Sequence, residues 1–203
     1  MELRSAGSIA LLTFPDEEDY PRLTRSVLDE LPEIFSNIRR EGAFHGVVIA
    51  SNSKSFAVGA ELEEVSALTG MGAFEFARRA QSLFGAIAQF PVPVVAAIRG
   101  YCLGGGLDLA LACHLRVAAY DSSFAHPGAS LGLITGWGGT QRLPRLLGRA
   151  AGLQILLTGE RIPATQALSA GLVDELVSSE DLIDAAVRRA LHANSAWAGV
   201  AEA

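Results

Sequence analysis

VVAAIRGYCLGGGLDLALACH, Val94–His114, is the stretch whose reading decides the fold. It divides into three parts. Val94–Ile98 is an apolar, β-branched run of the kind that forms a buried strand. Gly104, Gly105 and Gly106 let the backbone turn sharply and approach a ligand closely. Leu107–Cys113 has no glycine or proline and is rich in Leu and Ala, both good helix formers. A strand, a glycine turn and a helix start leave free backbone N–H groups at the positive end of a helix dipole. Such a place holds a phosphate, a carboxylate or a developing oxyanion. One acid, Asp108, falls in the first turn. The same pattern also serves as a plain connection in many α/β proteins, so the neighbouring segments must decide.

Outward from this stretch, 203 residues suit one domain, 1–203, with a sizeable core. Half of the residues are hydrophobic, which excludes general disorder. The net charge of −6, with no run of Lys or Arg, argues against a nucleic-acid face. A phosphorylated ligand stays possible, because backbone N–H groups and two or three cations suffice. Cys102 and Cys113 lack metal-ligand spacing and suggest no disulfide framework, which fits a reducing compartment. Glu2 and the short run Ile9–Leu12 make a poor signal peptide, and Val92–Ile98 ends at Arg99, far short of a membrane span. The expectation is a cytoplasmic protein without a membrane segment.

In chain order, Ser8–Phe14 reads as a strand and Pro15–Pro21 as an acidic, solvated loop carrying Asp16, Glu17, Glu18 and Asp19. Leu23–Glu41 has helical spacing at Leu23, Val27, Leu31, Phe35 and Ile38, with Pro32 expected to kink or split it. His45–Ala50 is too continuously apolar to be half-exposed and reads as a strand buried on both faces. Ser51–Glu61 repeats the strand–loop–helix pattern, with Gly59 in the loop and a short helix from about Glu61. Gly72–Gln89 is an amphipathic helix with Phe76, Leu83 and Ile87 on its apolar face. Leu115–Tyr120, Ser123–Ala125 and Val173–Val177 read as strands. Thr140–Gly148, Ala150–Thr158, Ala164–Ala170 and Leu182–His192 read as helices. His126–Gly139 is glycine-rich and irregular, and Ala193–Ala203 is expected to fray. The order is that of an α/β fold with parallel pairing.

Two strand–loop–helix turns, each offering one backbone N–H, can converge on one ligand oxygen and form an oxyanion hole without side chains. Lys54–Leu62 (KSFAVGAEL), Ala97–Ala119 (AIRGYCLGGGLDLALACHLRVAA), Leu131–Gly148 (LGLITGWGGTQRLPRLLG) and Leu157–Val177 (LTGERIPATQALSAGLVDELV) together resemble the enoyl-CoA hydratase/isomerase, or crotonase, family. The likeness runs from about Ser8 to His192. It implies a spiral of ββα units with peripheral helices, and acyl-CoA thioester substrates. Coenzyme A then arrives with the substrate, and no separate cofactor or metal is implied. The amides of Ala60 and Gly105 would polarise the thioester oxygen. Lys54, Ala57, Leu62, Gly104, Gly128, Leu133 and Trp137 are the substrate-binding candidates, and trimers or pairs of trimers the implied assembly.

Three departures from the family pattern bear on the reaction. Hydratases of the family use two glutamates, one to activate water and one to move the proton. Here the first position holds Asp108 and the second holds Gly128, which can do no acid–base work. GGGLDL resembles the dienoyl-CoA isomerase branch, but that branch's other acidic positions fall on Gly128 and Gly136. Asp108 is therefore either a one-base catalyst or a helix-start acid satisfying N–H groups. If Phe124–Gly128 is extended, residues 126 and 128 share a face, and His126 reaches the space that Gly128 leaves. A satisfied or surface histidine is the plainer alternative; His45 and His114 read as structural or exposed. Second, Pro21-Arg22-Leu23 stands where the family has an Asn-Ala-Leu stretch. Arg22 and Lys54 are either phosphate partners or ordinary surface charges. Third, the usual further helical module is short here, which leaves the assembly open.

Gly128–Gly132 also matches G-x-S-x-G, the serine-hydrolase elbow. Gly132–Gly139 is too glycine-rich to start the helix that Ser130 would need directly after it. A further alternative is a crotonase-like domain that binds acyl-CoA, or a partner protein, without turnover. Among reactions, isomerisation or another one-base enolate reaction is expected over hydration.

Overall fold

A computed structural model describes residues 1–14 and 19–198, with side chains described through residue 194. Asp16, Glu17 and Glu18 of the acidic loop lie outside the described residues. The elements, in order, are β1 (Glu2–Ala6), β2 (Ile9–Phe14), α1 (Arg25–Glu41), β3 (Gly46–Ser51), α2 (Leu62–Ser66), α3 (Gly70–Ala88), β4 (Val94–Ile98), β5 (Tyr101–Leu103) and α4 (Gly105–Ala112). They continue with β6 (Leu115–Ala119), β7 (Ser123–Ala125), a 3₁₀ turn (Pro127–Leu131), α5 (Gly139–Leu147), α6 (Arg149–Thr158), β8 (Ile162–Pro163), α7 (Ala164–Ser169), β9 (Glu175–Val177) and α8 (Leu182–Ala198).

The larger sheet runs β1-β2-β3-β4-β6-β9, antiparallel only between β1 and β2. Both of its faces are covered, which is why its strands read as unbroken apolar runs. Val47 and Ile49 face the core shared with α1, α3 and α4, whereas Val48 and Ala50 face Leu182, Ala185, Ala186 and Ala190 of α8. The smaller sheet runs β5-β7-β8, with β5 and β7 parallel. Ala57 extends it through a parallel bridge to Cys102. The chain therefore passes three times from the large sheet to the small one and on into a helical turn: β3 to Ala57 to α2, β4 to β5 to α4, and β6 to β7 to the 3₁₀ turn. This is the spiral of ββα units that the resemblance implied.

That repetition aligns the site. Ala57 pairs with Cys102, and Cys102 pairs with Phe124, so the three segments leave the small sheet side by side. Three residues further on stand Ala60, Gly105 and Pro127, all at the C-terminal ends of parallel segments, where α/β folds place their ligands.

Several expectations need correction. The helix starts at Arg25, capped by the Thr24 side chain, and Leu23 instead bridges to Ala60. Pro32 does not split α1, which runs unbroken from Arg25 to Glu41. Pro32 itself sits on the exposed side of the helix, while Leu28, Leu31, Phe35 and Ile38 anchor the buried side. Residues 123–125 are extended but Phe124–Gly128 is not: Pro127, with its fixed φ, begins a 3₁₀ turn after His126. Helix α8 extends to Ala198, past the His192 at which the sequence places its end; alanine is the best helix former.

His114 couples the large sheet to α3. Its Nδ1 accepts the Val94 N–H at 2.8 Å, and its Nε2 lies 3.2 Å from the Ala88 carbonyl, an arrangement that needs the neutral Nε2–H tautomer. Burial lowers its pKa, the Ala88 contact opposes that shift, and Arg116 adds to it. The unfolded chain then takes up a proton near pH 6.5 that the folded chain resists. This contribution is whole above pH 6.5 and shrinks as pH falls toward the folded value. The Tm of His114→Asn is expected to fall less steeply between pH 7 and 5.5 than that of the parent protein. Equal slopes in a thermal melt series would contradict this.

Candidate active site

The ends of the small sheet open into one cavity of about 330 Å³. Ala60, Leu62, Gly104, Gly105, Asp108, His126, Gly128, Leu133 and Trp137 all line it, so most of the residues singled out from sequence meet there. Lys54 and Ala57 do not. Lys54 pairs its Nζ with Asp19 Oδ2 at 2.9 Å on the surface. Ala57 is fully buried beneath the start of α4, its carbonyl taking the Leu103 N–H at 2.9 Å. Arg22 forms an ion pair with Glu61 at 3.2 Å. Ser130 is exposed and donates to the Pro127 carbonyl at 2.7 Å, with a 3₁₀ turn rather than a strand–helix elbow around it.

Gly104 precedes α4 with φ 51°, a left-handed turn that a side chain would disfavour. Its own N–H bonds to Ala125 at 2.9 Å, which ties the turn to β7. Gly105 is the first residue of α4, so its amide has no carbonyl within the helix to reach. The Leu23 N–H takes the Gly59 carbonyl at 2.8 Å, holding the Ala60 turn from its other side. Among the described residues, no acceptor is recorded for the amide of Ala60 or of Gly105. The two turns touch: a Cβ added to Gly59 would lie 3.0 Å from the Gly105 nitrogen.

Gly105 also makes room for Trp137, whose indole a Cβ there would overlap. The indole is 6 % exposed and stands edge-on to Phe76 and Phe84, with ring centroids 5.3 and 6.0 Å away. Leu62, Val65, Leu68, Phe76 and Leu133 complete an apolar wall, of which Leu62 and Leu133 are exposed at the rim.

In this apolar setting sits one carboxylate. Asp108 is fully buried on α4, yet it caps no amide of that helix; the Thr135 hydroxyl donates to its Oδ2. Its Oδ1 lies 3.3 Å from His126 Nε2, and His126 is 4 % exposed. That distance suits an ion pair when the imidazole is protonated, but the atoms are not aligned for a hydrogen bond, and neither has a hydrogen-bond partner among the described residues. Gly139 permits this convergence. A Cβ there would overlap Asp108 Oδ1 and come within 2.8 Å of Thr135 Cγ2 and 2.9 Å of His126 Nε2. Arg142 is the nearby cation. Burial lowers its pKa and the Asp108 charge raises it again, and its Nη1 donates to the Trp137 carbonyl at 3.1 Å.

Burial pushes the Cys113 thiol up to about 12 and raises Cys102 well above its usual value, so both stay protonated and neither is a nucleophile. His45 is exposed. No group of three or more His, Cys, Asp or Glu suited to a metal is present among the described residues. Among them, too, no helix is long and apolar enough to cross a membrane. Sequence reasoning did not find Thr135 or Gly139. Thr135 is 27 positions from Asp108, and no local pattern links the two.

Comparison with known proteins agrees with this architecture. Residues 4–201 match the enoyl-CoA hydratase/isomerase family model, and the chain belongs to that family. It is 42% identical over 195 residues to the fatty acid oxidation complex subunit alpha of Idiomarina loihiensis, covering 94% of this chain. The chain spans 28% of the length of that relative, and 27% of its counterpart from Shewanella loihica. Among solved structures, an enoyl-CoA hydratase from Bacillus anthracis superposes with a TM-score of 0.89 at 32% identity, covering 94% of this chain and 75% of that one. Pseudomonas aeruginosa DspI superposes with a TM-score of 0.91 at 31% identity, covering 98% and 83%.

Proposed function

We propose that this protein moves a proton between carbons of an acyl-CoA thioester, with Asp108 as its single base. The thioester carbonyl oxygen docks against the amides of Ala60 and Gly105. Asp108 removes a proton from the carbon next to the carbonyl, or from the vinylogous carbon beyond a double bond. The electron pair moves onto the carbonyl oxygen, where the two amides hold the developing charge in a water-poor site. The proton returns to the other end of the dienolate, and the double bond shifts. His126, next to Asp108 Oδ1, balances the carboxylate's charge when protonated.

The observation that carries this reading is that Asp108 and Gly128, which the family resemblance places at its two acid–base positions, line the same cavity. Adding water needs one group to take a proton from water and another to deliver one to carbon, and Gly128 offers neither. Fatty acyl chains are the substrate class in keeping with the apolar wall and with the naming of the curated relatives. Trimers or pairs of trimers belong to this reading, and light scattering on the purified protein tests them.

The chemical test is hydrogen exchange. In D₂O, the protein should incorporate deuterium next to the carbonyl of a saturated or 3-enoyl-CoA, and should convert the 3-enoyl to the 2-enoyl thioester without accumulating a hydroxyacyl product. Mass spectra showing binding with no exchange would replace this reading with that of a binding domain.

A further inference from the structure

We propose that Thr135 is a positioning residue that fixes the orientation of the Asp108 carboxylate; this rests on Asp108 being the base. A carboxylate on a short side chain, buried against glycine, rotates between equivalent positions unless one oxygen is held. Thr135 supplies the hold by donating its hydroxyl to Oδ2. This is a charge-assisted hydrogen bond, of the stronger kind. It leaves Oδ1 as the oxygen beside His126 and Gly139.

Thr135 is itself fixed. It lies between Gly132, which caps the end of the 3₁₀ turn, and Gly138, which precedes α5. Gln81 of α3 donates to the Gly136 carbonyl at 2.6 Å, and Arg142 of α5 donates to the Trp137 carbonyl at 3.1 Å. The Trp137 N–H points back to the Thr135 hydroxyl at 3.5 Å, so the hydroxyl's own proton is left for Asp108. The Trp137 indole presses on Gly105. One segment thus sets the base, through Thr135, and packs against one of the two proposed oxyanion donors, through Trp137.

Two near-isosteric substitutions separate positioning from packing. Thr135→Val keeps both branches of the side chain and removes the hydroxyl; Thr135→Ser keeps the hydroxyl and removes the methyl. The expected result for deuterium exchange is a fall in kcat of about ten- to a hundredfold in the Val variant. KM should change little, and Ser should restore most of the rate. In an Asp108→Asn background, Thr135→Val should cost nothing further, because the two act as one unit. If Val and Ser are equally active, or Val is the better of the two, the methyl rather than the hydroxyl matters and the proposal is overturned. If Val does not fold, Thr135→Ala against Ser makes the same comparison. Full exchange by Asp108→Asn alone would remove the base itself. An inactive Asp108→Asn with a fully active Thr135→Val would remove only the role of Thr135.

Discussion

Asp108→Asn is expected to slow deuterium exchange and double-bond migration by about 10²–10⁴-fold, the usual contribution of a general base. Asparagine has the size of aspartate and can still accept the Thr135 hydroxyl, so the change removes the basic oxygen and little else. The Tm should stay close to that of the parent, and acyl-CoA should still bind, because binding is ascribed to the Ala60 and Gly105 turns and the apolar wall. His126→Ala should have a smaller effect on rate, since the imidazole sits 3.3 Å from the carboxylate without a hydrogen bond to it. An Asp108→Asn protein that exchanges at the parental rate would show that Asp108 is only a buried structural acid.

The second large effect runs in the opposite direction. Gly128→Glu should introduce hydration of a 2-enoyl-CoA, by adding a second carboxylate to the wall of the cavity that Asp108 also lines. General acid–base groups are worth about 10²–10⁴-fold, so hydration should rise by at least about a hundredfold over the parent. The backbone allows the change, because Gly128 does not adopt a positive φ. A Cβ there meets the Leu133 carbonyl at 3.0 Å, so the loop must yield by a few tenths of an ångström. A well-folded Gly128→Glu protein that still isomerises but forms no 3-hydroxyacyl product would mean that the missing carboxylate is not what limits hydration.

How much of this was legible in the sequence varies with distance along the chain. Val94–Ile98 and His45–Ala50 were clear because burial on both faces leaves no polar interruption. The glycine turn was clear because three adjacent glycines are a local signal. Tyr101–Leu103 was hidden: three residues between two glycines are too few for any periodicity, and they form a strand only because Phe124 and Ala125 lie alongside. Leu23 looked like helix because its spacing fits α1, but its backbone is taken by the Ala60 turn. The route of His126 into the cavity was misread as extended backbone, while its arrival there was anticipated. The contacts that shape Asp108 come from Thr135 and Gly139, on a loop that only the folded chain brings back over α4. No spacing rule contains that information.

In the proposed mechanism, two main-chain amides hold one thioester oxygen. The most direct measurement is a crystal structure with an unreactive acyl-CoA analogue bound. A single carbonyl oxygen is expected about 2.7–3.1 Å from both the Ala60 and the Gly105 nitrogen, with the adjacent carbon facing Asp108. A thioester oxygen bound elsewhere in the cavity, or touching only one of the two amides, would contradict it.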